Sequence, residues 1–431
     1  MSVRKRKWTT ANGEPREAWI VDYTDGKGDR HLKTFDRKKD ADAYHATVRV
    51  EVREGTHIAD SETVTVKEAG GKWLESGKAD GLERTTRDQR RQHLTFHIEP
   101  FLGKLRLSKL SVPVVRAFQD RLRAEPYPDD YPVVRLRGKS RSGDMIKRVT
   151  VSLGSIIADA QERGLVARNA IRDMTSRRTK GKVRKGERRQ KARLQYGVDI
   201  PTRDEVRLII ENTQGRYRPL LITAIFTGLR ASELRGLRWS DVDLADARLH
   251  VRQRADKYHA EKYRVDHDPI GMPKSDAGQR SVPLSPLVVN TLREWKLSCP
   301  KGKLDLVFPN SKGNIEYHAN IIKRGLWPAE IAAGVVVPTG EKDKDGAPIM
   351  RAKYTGLHAL RHFYASWCIN RRADGGLELP GKMVQERLGH SSITMTMDVY
   401  GHLFPSTDDS DALAQAERSL LTPVSKTADA T

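Results

Sequence analysis

One stretch limits what this chain can become. Arg177 to Arg193 carries ten Lys/Arg residues and two glycines, and its only apolar residues are Val183 and Ala192. Such a run cannot bury a core, because desolvating its charges costs more than its few methyl groups return. The 431 residues must therefore place their cores on either side of it. At this length two or three domains are expected, and 37% hydrophobic content is enough to fill them. We read residues 173–199 as a linker, flexible when free.

The charge is uneven. The chain carries a net +22, of which +8 lies in residues 61–172 and another +8 in residues 173–193. Residues 1–60 hold +2 and the remainder +4. A basic middle suggests nucleic acid, although ribosome binders and membrane-surface proteins share the property. Beside a duplex, Arg177–Arg193 would neutralise phosphates; a nuclear-targeting run is the alternative reading. No apolar run approaches membrane-spanning length. The basic start is followed by the polar stretch Trp8–Arg16, which does not read as a secretory signal. Cys299 and Cys368 are the only cysteines, too few for a disulfide framework or a cysteine zinc site. A cytoplasmic protein without membrane contact is expected.

In chain order, Ala18–Tyr23 reads as a strand, His31–Phe35 as its return, and Trp8 as lying on an earlier strand that turns at Asn12-Gly13. Asp36 or Asp40 is positioned to cap a helix that follows. Helical spacing recurs over 66–76, 86–97, 112–123 and 147–162, with Val149, Leu153, Ile156, Ile157 and Ala160 on one face of the last. The loop 125–144 is rich in Pro and Gly and reads as irregular. Beyond the linker, Thr202–Glu205 looks like a helix start, and Tyr217–Phe226 reads as a buried helix ending at Thr227-Gly228. Arg248–Val251 and Arg280–Leu284 read as paired strands, with turn composition at Pro273–Gly278. Residues 334–353 look like an inserted irregular loop, and 411–421 like a short terminal helix. The fold class is mainly α with small β-sheets (α+β).

Four short clusters carry the chemistry. They are Thr227-Gly228-Leu229-Arg230-Ala231-Ser232-Glu233, His358-Ala359-Leu360-Arg361-His362, Leu388-Gly389-His390-Ser391-Ser392 and Tyr400-Gly401-His402. His358 and Arg361, at i and i+3, share a helix face. Ser391 or Ser392 can cap a helix that ends near Tyr400. Guanidinium forks match the non-bridging oxygens of a phosphodiester, a phenol beside them can be a nucleophile, and histidines can move protons. Singly, each of these residues reads as an ordinary ion pair or core side chain.

At these positions the chain resembles the tyrosine recombinases, the phage-type integrases. Their ordered signature falls here on Arg230, Lys274, His358, Arg361, His390 and Tyr400. The resemblance implies that the arginines stabilise a phosphorane-like transition state and that Tyr400 forms a 3′-phosphotyrosine bond. It places His390 on a non-bridging oxygen and His358 at proton transfer near Tyr400, or the two exchanged, and Lys274 on a hairpin tip as general acid, with Lys257, Lys262 and Lys303 as the nearby alternatives. Glu233 would orient Arg230. His362 and His402 are read as bystanders.

The resemblance implies no cofactor and no metal. Its partners would be double-stranded DNA attachment sites, a homotetramer on DNA, and DNA-bending or directionality factors, with the protein nucleoid-associated when bound. It divides the chain into an arm-type DNA-binding domain (1–60), a helical core-binding domain (61–172), the linker (173–199), a catalytic domain (200–404) and a tail (405–431) that docks on a neighbour or frays. The implied function is site-specific integration or excision of a mobile element. A resolvase of the same family, a type IB topoisomerase and a DNA-binding protein that has lost catalysis are the alternatives.

Overall fold

A computed structural model describes residues 2–9, 14–26, 28–54, 58, 63–176, 193–256, 270–273, 275–404, 414, 417, 418 and 421. Lys274, the turn at Asn12-Gly13, the basic run up to residue 192 and nearly all of the tail lie outside these. The chain forms two compact units, Met1–Lys185 and Gly186–Thr431.

The first unit begins with a three-stranded antiparallel sheet, β1 (Ser2–Thr9), β2 (Pro15–Thr24) and β3 (Arg30–Phe35). Alternation sends Val3, Trp19, Val21, Tyr23 and Phe35 toward helix α1 (Lys38–Arg53). The opposite face then carries Arg4, Arg6, Trp8 and Arg16, with Trp8 paired to Arg16 across the strands. Neither aspartate caps α1: its N-cap is Arg37, without a side-chain bond, and Asp40 instead sits in the first turn, where its charge favours the helix dipole.

Four main helices follow: α2 (Val66–Ala79), α3 (Arg84–His93), α4 (Val112–Ala124) and α5 (Gly143–Glu162). The predicted apolar face of α5 is buried as expected. Its start comes earlier than the apolar spacing indicates, because the Ser142 hydroxyl accepts from the Met145 N–H and caps it there. The loop ahead of it is irregular but anchored. Arg141, only 6% exposed, donates to the Glu125 carbonyl at 2.6 Å and to His97 at 3.2 Å, and lies over the Tyr127 ring.

The second unit starts at α6 (Arg203–Asn212), a helix start the sequence indicates, where the structure adds a reciprocal capping box between Thr202 and Glu205. Helix α7 (Arg218–Thr227) is apolar all round and runs through the centre of the core. A short helix α8 (Ala231–Gly236) follows, then the sheet of β4 (Val242–Asp243), β5 (Arg248–Val251) and β6 (Arg280–Pro283), all antiparallel. Residues 334–353 correct the sequence reading. They form a hairpin, β7 (Val336–Lys342) with β8 (Pro348–Ala352). Its strands are mostly exposed, so no apolar alternation announces it. Pairing rests on the backbone ladder and on a turn in which the Asp343 carboxylate accepts from the N–H groups of Asp345 and Ala347. Three helices close the unit: α9 (His358–Ile369), α10 (Gly381–Leu388) and α11 (Ile393–Tyr400). Among the described residues, no helix is long and apolar enough to cross a membrane.

Candidate active site

Two helix ends set the site's geometry. Helix α7 stops at Gly228, whose φ is +60°, and α10 stops at Gly389, whose φ is +63°. Left-handed backbone at a helix end favours glycine. At Gly228 space demands it as well, since a Cβ would meet the Tyr364 ring at 2.3 Å. These two ends aim carbonyl groups at one point, and arginines fill it. Arg361 donates to the Gly228 carbonyl at 2.5 Å and to the Leu388 carbonyl at 2.6 Å. Arg230 donates to the Gly389 carbonyl at 2.9 Å. A cation at a helix C-terminus also meets the negative end of the dipole.

The arginines differ in depth. The Arg230 side chain is 37% exposed, whereas Arg361 is 2% exposed. Burial, together with the nearby Arg230 charge, lowers the Arg361 pKa to about 10, so it still carries its charge at neutral pH. Glu233, deep beneath them, accepts from the Arg230 side chain at 2.8 Å and from the Arg230 backbone N–H at 2.8 Å. It therefore orients Arg230, as expected. It also binds Arg280 at 2.8 Å, which sequence reasoning had read only as the start of a strand. Arg280 in turn donates to the Arg387 carbonyl at 2.7 Å, tying β6 to α10. Burial pushes the Glu233 carboxyl pKa up, but the charges of Arg280 and Arg230 outweigh that and hold it low.

Tyr400 is the last residue of α11, and Ser392, not Ser391, caps that helix by accepting from Met395 N–H. The Tyr400 ring is 2% exposed and lies parallel to the His390 ring, centroids 6.3 Å apart and planes within 6°. Thr396 fixes His390 through a 2.9 Å bond to Nδ1. The Tyr400 hydroxyl lies 2.8 Å from Nδ1 of His362, a residue the sequence reading set aside. The His358 ring packs edge-on against His362 at 4.5 Å. A signal was present in the sequence: His358 and His362 are i and i+4, so the face that carries Arg361 also carries His362. His402 is elsewhere, bonded to the Leu194 carbonyl at 2.9 Å. Five of the six signature residues, Arg230, His358, Arg361, His390 and Tyr400, thus sit around one cluster; Lys274 lies outside the described residues.

The cluster is electrostatically poised for an anion. Burial first, then the charges of Arg361 and Arg230, push His390 down to about 4. Burial, His358 and Arg361 do the same to His362, against an opposing pull from Asp199. Burial pushes the Tyr400 phenol up to about 12, although Arg361 and Arg230 pull it back. At neutral pH both histidines are uncharged and the phenol keeps its proton. A histidine whose pKa is lowered on folding stabilises the fold above its ordinary pKa, and that stabilisation is lost as pH falls. Thermal unfolding of the full chain should therefore show Tm dropping as pH goes from about 6.5 toward 4, and His390→Gln should flatten part of the drop. A Tm profile that is level over that window would mean these histidines are not held neutral.

Comparison with known proteins decides the family. Residues 201–406 match the phage integrase family, and residues 65–123 match the phage integrase N-terminal SAM-like domain. The chain belongs to the phage integrase family. It is 27% identical over 226 residues to a XerC-like tyrosine recombinase of Caldanaerobacter subterraneus, covering 49% of this chain and 52% of that one. It is 32% identical over 206 residues to the tyrosine recombinase XerC of Xylella fastidiosa, covering 48% and 52%. The ICEBs1 integrase of Bacillus subtilis is 24% identical over 200 residues, covering 46% and 48%. The chain thus spans about half the length of the curated relatives it matches. In fold it is similar to the Tn1549 transposon integrase, solved in complex with circular intermediate DNA. That likeness has a TM-score of 0.54 at 18% identity, and covers 83% of this chain and all of the other.

Proposed function

We propose that this integrase-family protein is a site-specific DNA recombinase that integrates or excises a mobile element. The observation that carries the reading is the convergence of Tyr400, Arg361, Arg230 and His390, from four separated segments, on one carbonyl-lined cluster. In this reading the Tyr400 oxygen attacks the scissile phosphate. A 3′-phosphotyrosine bond forms, the bond to the 5′-oxygen breaks, and the leaving oxygen takes a proton from Lys274. Arg230 meets the non-bridging oxygens directly, His390 donates to one of them, and Arg361 supplies charge from beneath. Because the phosphodiester is exchanged for a phosphotyrosyl ester, attack by a partner 5′-hydroxyl reseals the strand without ATP.

The substrate is double-stranded DNA at attachment sites, and two duplexes exchange strands on a homotetramer, with DNA-bending or directionality factors as further partners. The division into arm-binding (1–60), core-binding (61–172), linker (173–199), catalytic (200–404) and tail (405–431) parts belongs to this reading. The face of the N-terminal sheet bearing Arg4, Arg6, Trp8 and Arg16 supports DNA contact by the first part.

The test is a nicked suicide duplex carrying the junction between the element and its chromosome. The wild-type protein should accumulate a covalent protein–DNA adduct, and should do so in EDTA, since arginines supply the charge at phosphate. Strict dependence of cleavage on a divalent ion would contradict this assignment. Binding without any adduct would favour the inactive DNA-binding alternative.

A further inference from the structure

Within this recombinase reading, the geometry points to His362 as the group that takes the proton from Tyr400, a role that the signature does not give it. The hydroxyl has to lose its proton as it attacks phosphorus, and a group that accepts it must lie within hydrogen-bond reach. His362 Nδ1 is 2.8 Å from that oxygen. His358, the signature histidine, packs nearly perpendicular to the His362 ring, centroids 4.5 Å apart, while the direct bond to the phenol is made by His362. His390 presents its face to the Tyr400 ring and has Nδ1 committed to Thr396.

The surroundings suit the role. The groups that face His362 are His358 and Arg361 on its own helix, Tyr400 on α11 and Asp199 ahead of α6. With no DNA present, burial first, and then His358 and Arg361, outweigh the pull of Asp199 and keep the ring neutral. A phosphodiester entering beside Arg230 and Arg361 brings a negative charge, which makes an imidazolium easier to form. Base strength at His362 therefore rises when substrate arrives. The step balances. The Tyr400 oxygen bonds to phosphorus while its proton passes to Nδ1 of His362, carried in the Nε2-protonated tautomer. The 5′-oxygen departs with a proton from the separate acid. On rejoining, His362 returns its proton to the leaving phenolate, so no net proton is consumed at this site.

The test uses the full chain on the nicked junction duplex, following adduct formation from about pH 6 to 9.5, around the ordinary histidine and tyrosine pKa values. His362→Asn keeps an acceptor near the Nδ1 position but cannot take a proton. It should bind DNA normally and lose adduct rate by about 10²–10⁴-fold at neutral pH. Its rate should climb about tenfold per pH unit, as the phenolate fraction does below the phenol pKa, while wild type stays level above neutrality. His358→Asn should keep the level profile.

If His362→Asn does not fold, His362→Ala with added imidazole decides. Substituted imidazoles should restore its rate in order of their basicity, and should not restore His358→Ala. Three results would overturn the assignment: His362→Asn within about threefold of wild type, a loss that is the same at every pH, or a steep profile in His358→Asn instead. An absence of adduct from wild type itself would sink the recombinase reading first, and is thereby distinguished.

Discussion

Tyr400→Phe should bind junction DNA with wild-type affinity and form no covalent adduct with the nicked duplex. The substitution removes one oxygen. The phenyl ring keeps its place against His390, where the parallel stack sits 6.3 Å apart and needs no hydroxyl. What is lost is the bond to His362, which costs about 1 kcal/mol of stability. Loss of adduct should be complete rather than partial, because the neighbouring phenols are occupied. Tyr354 donates its hydroxyl to Glu205 at 2.7 Å. Tyr364 is buried in the core, and burial pushes its phenol far up. Gel shift and denaturing electrophoresis on the same samples separate binding from attachment. An adduct formed by Tyr400→Phe would assign the nucleophile to another residue.

Glu233→Gln should be the most destabilising conservative change in the catalytic unit. Glu233 is 3% exposed and its two oxygens are shared by Arg230 and Arg280. The Arg280 side chain is itself only 6% exposed. Removing the carboxylate charge strands a buried guanidinium, which costs about 3–5 kcal/mol. For a unit of this size each kcal/mol lowers Tm by about 2–4 °C, so a fall on the order of 10 °C is expected. Adduct formation should drop by about 10²-fold as well, because Arg230 loses its guide. The double variant Glu233→Gln with Arg280→Met should regain part of the Tm, since an uncharged pair leaves no stranded charge. It should not regain the rate. A Tm within about 2 °C of wild type for the single variant would show that solvent reaches Arg280 and that the pair is not what holds β6 to α8.

Much of the fold could be read from local pattern. The α5 face, the helix start at Thr202–Glu205 and the end of α7 at Gly228 are written in spacing and in single residues whose local physics is strong. The β7–β8 hairpin is not legible as strands because most of its residues are exposed, leaving no period-two apolar signal. The early start of α5 was missed for a related reason: the serine cap lies outside the apolar face that marks the helix.

The site divides along the same line. Order and spacing along the chain, through resemblance to the family, named Arg230, His358, Arg361, His390 and Tyr400, because each sits in a short motif with its own glycine or helix end. Partners were not legible. Nothing in the sequence says that Arg361 would lie at 2% exposure on the carbonyls of Gly228 and Leu388, or that Arg280 would share Glu233 with Arg230. Those contacts join residues 27 to 133 positions apart, and only packing brings them together. The same holds for His362. By sequence alone it was one histidine after an arginine, and its helical register allowed several neighbours. The docking of α11 against α9 put the Tyr400 oxygen at its Nδ1, and that contact sets the direction in which a proton can leave.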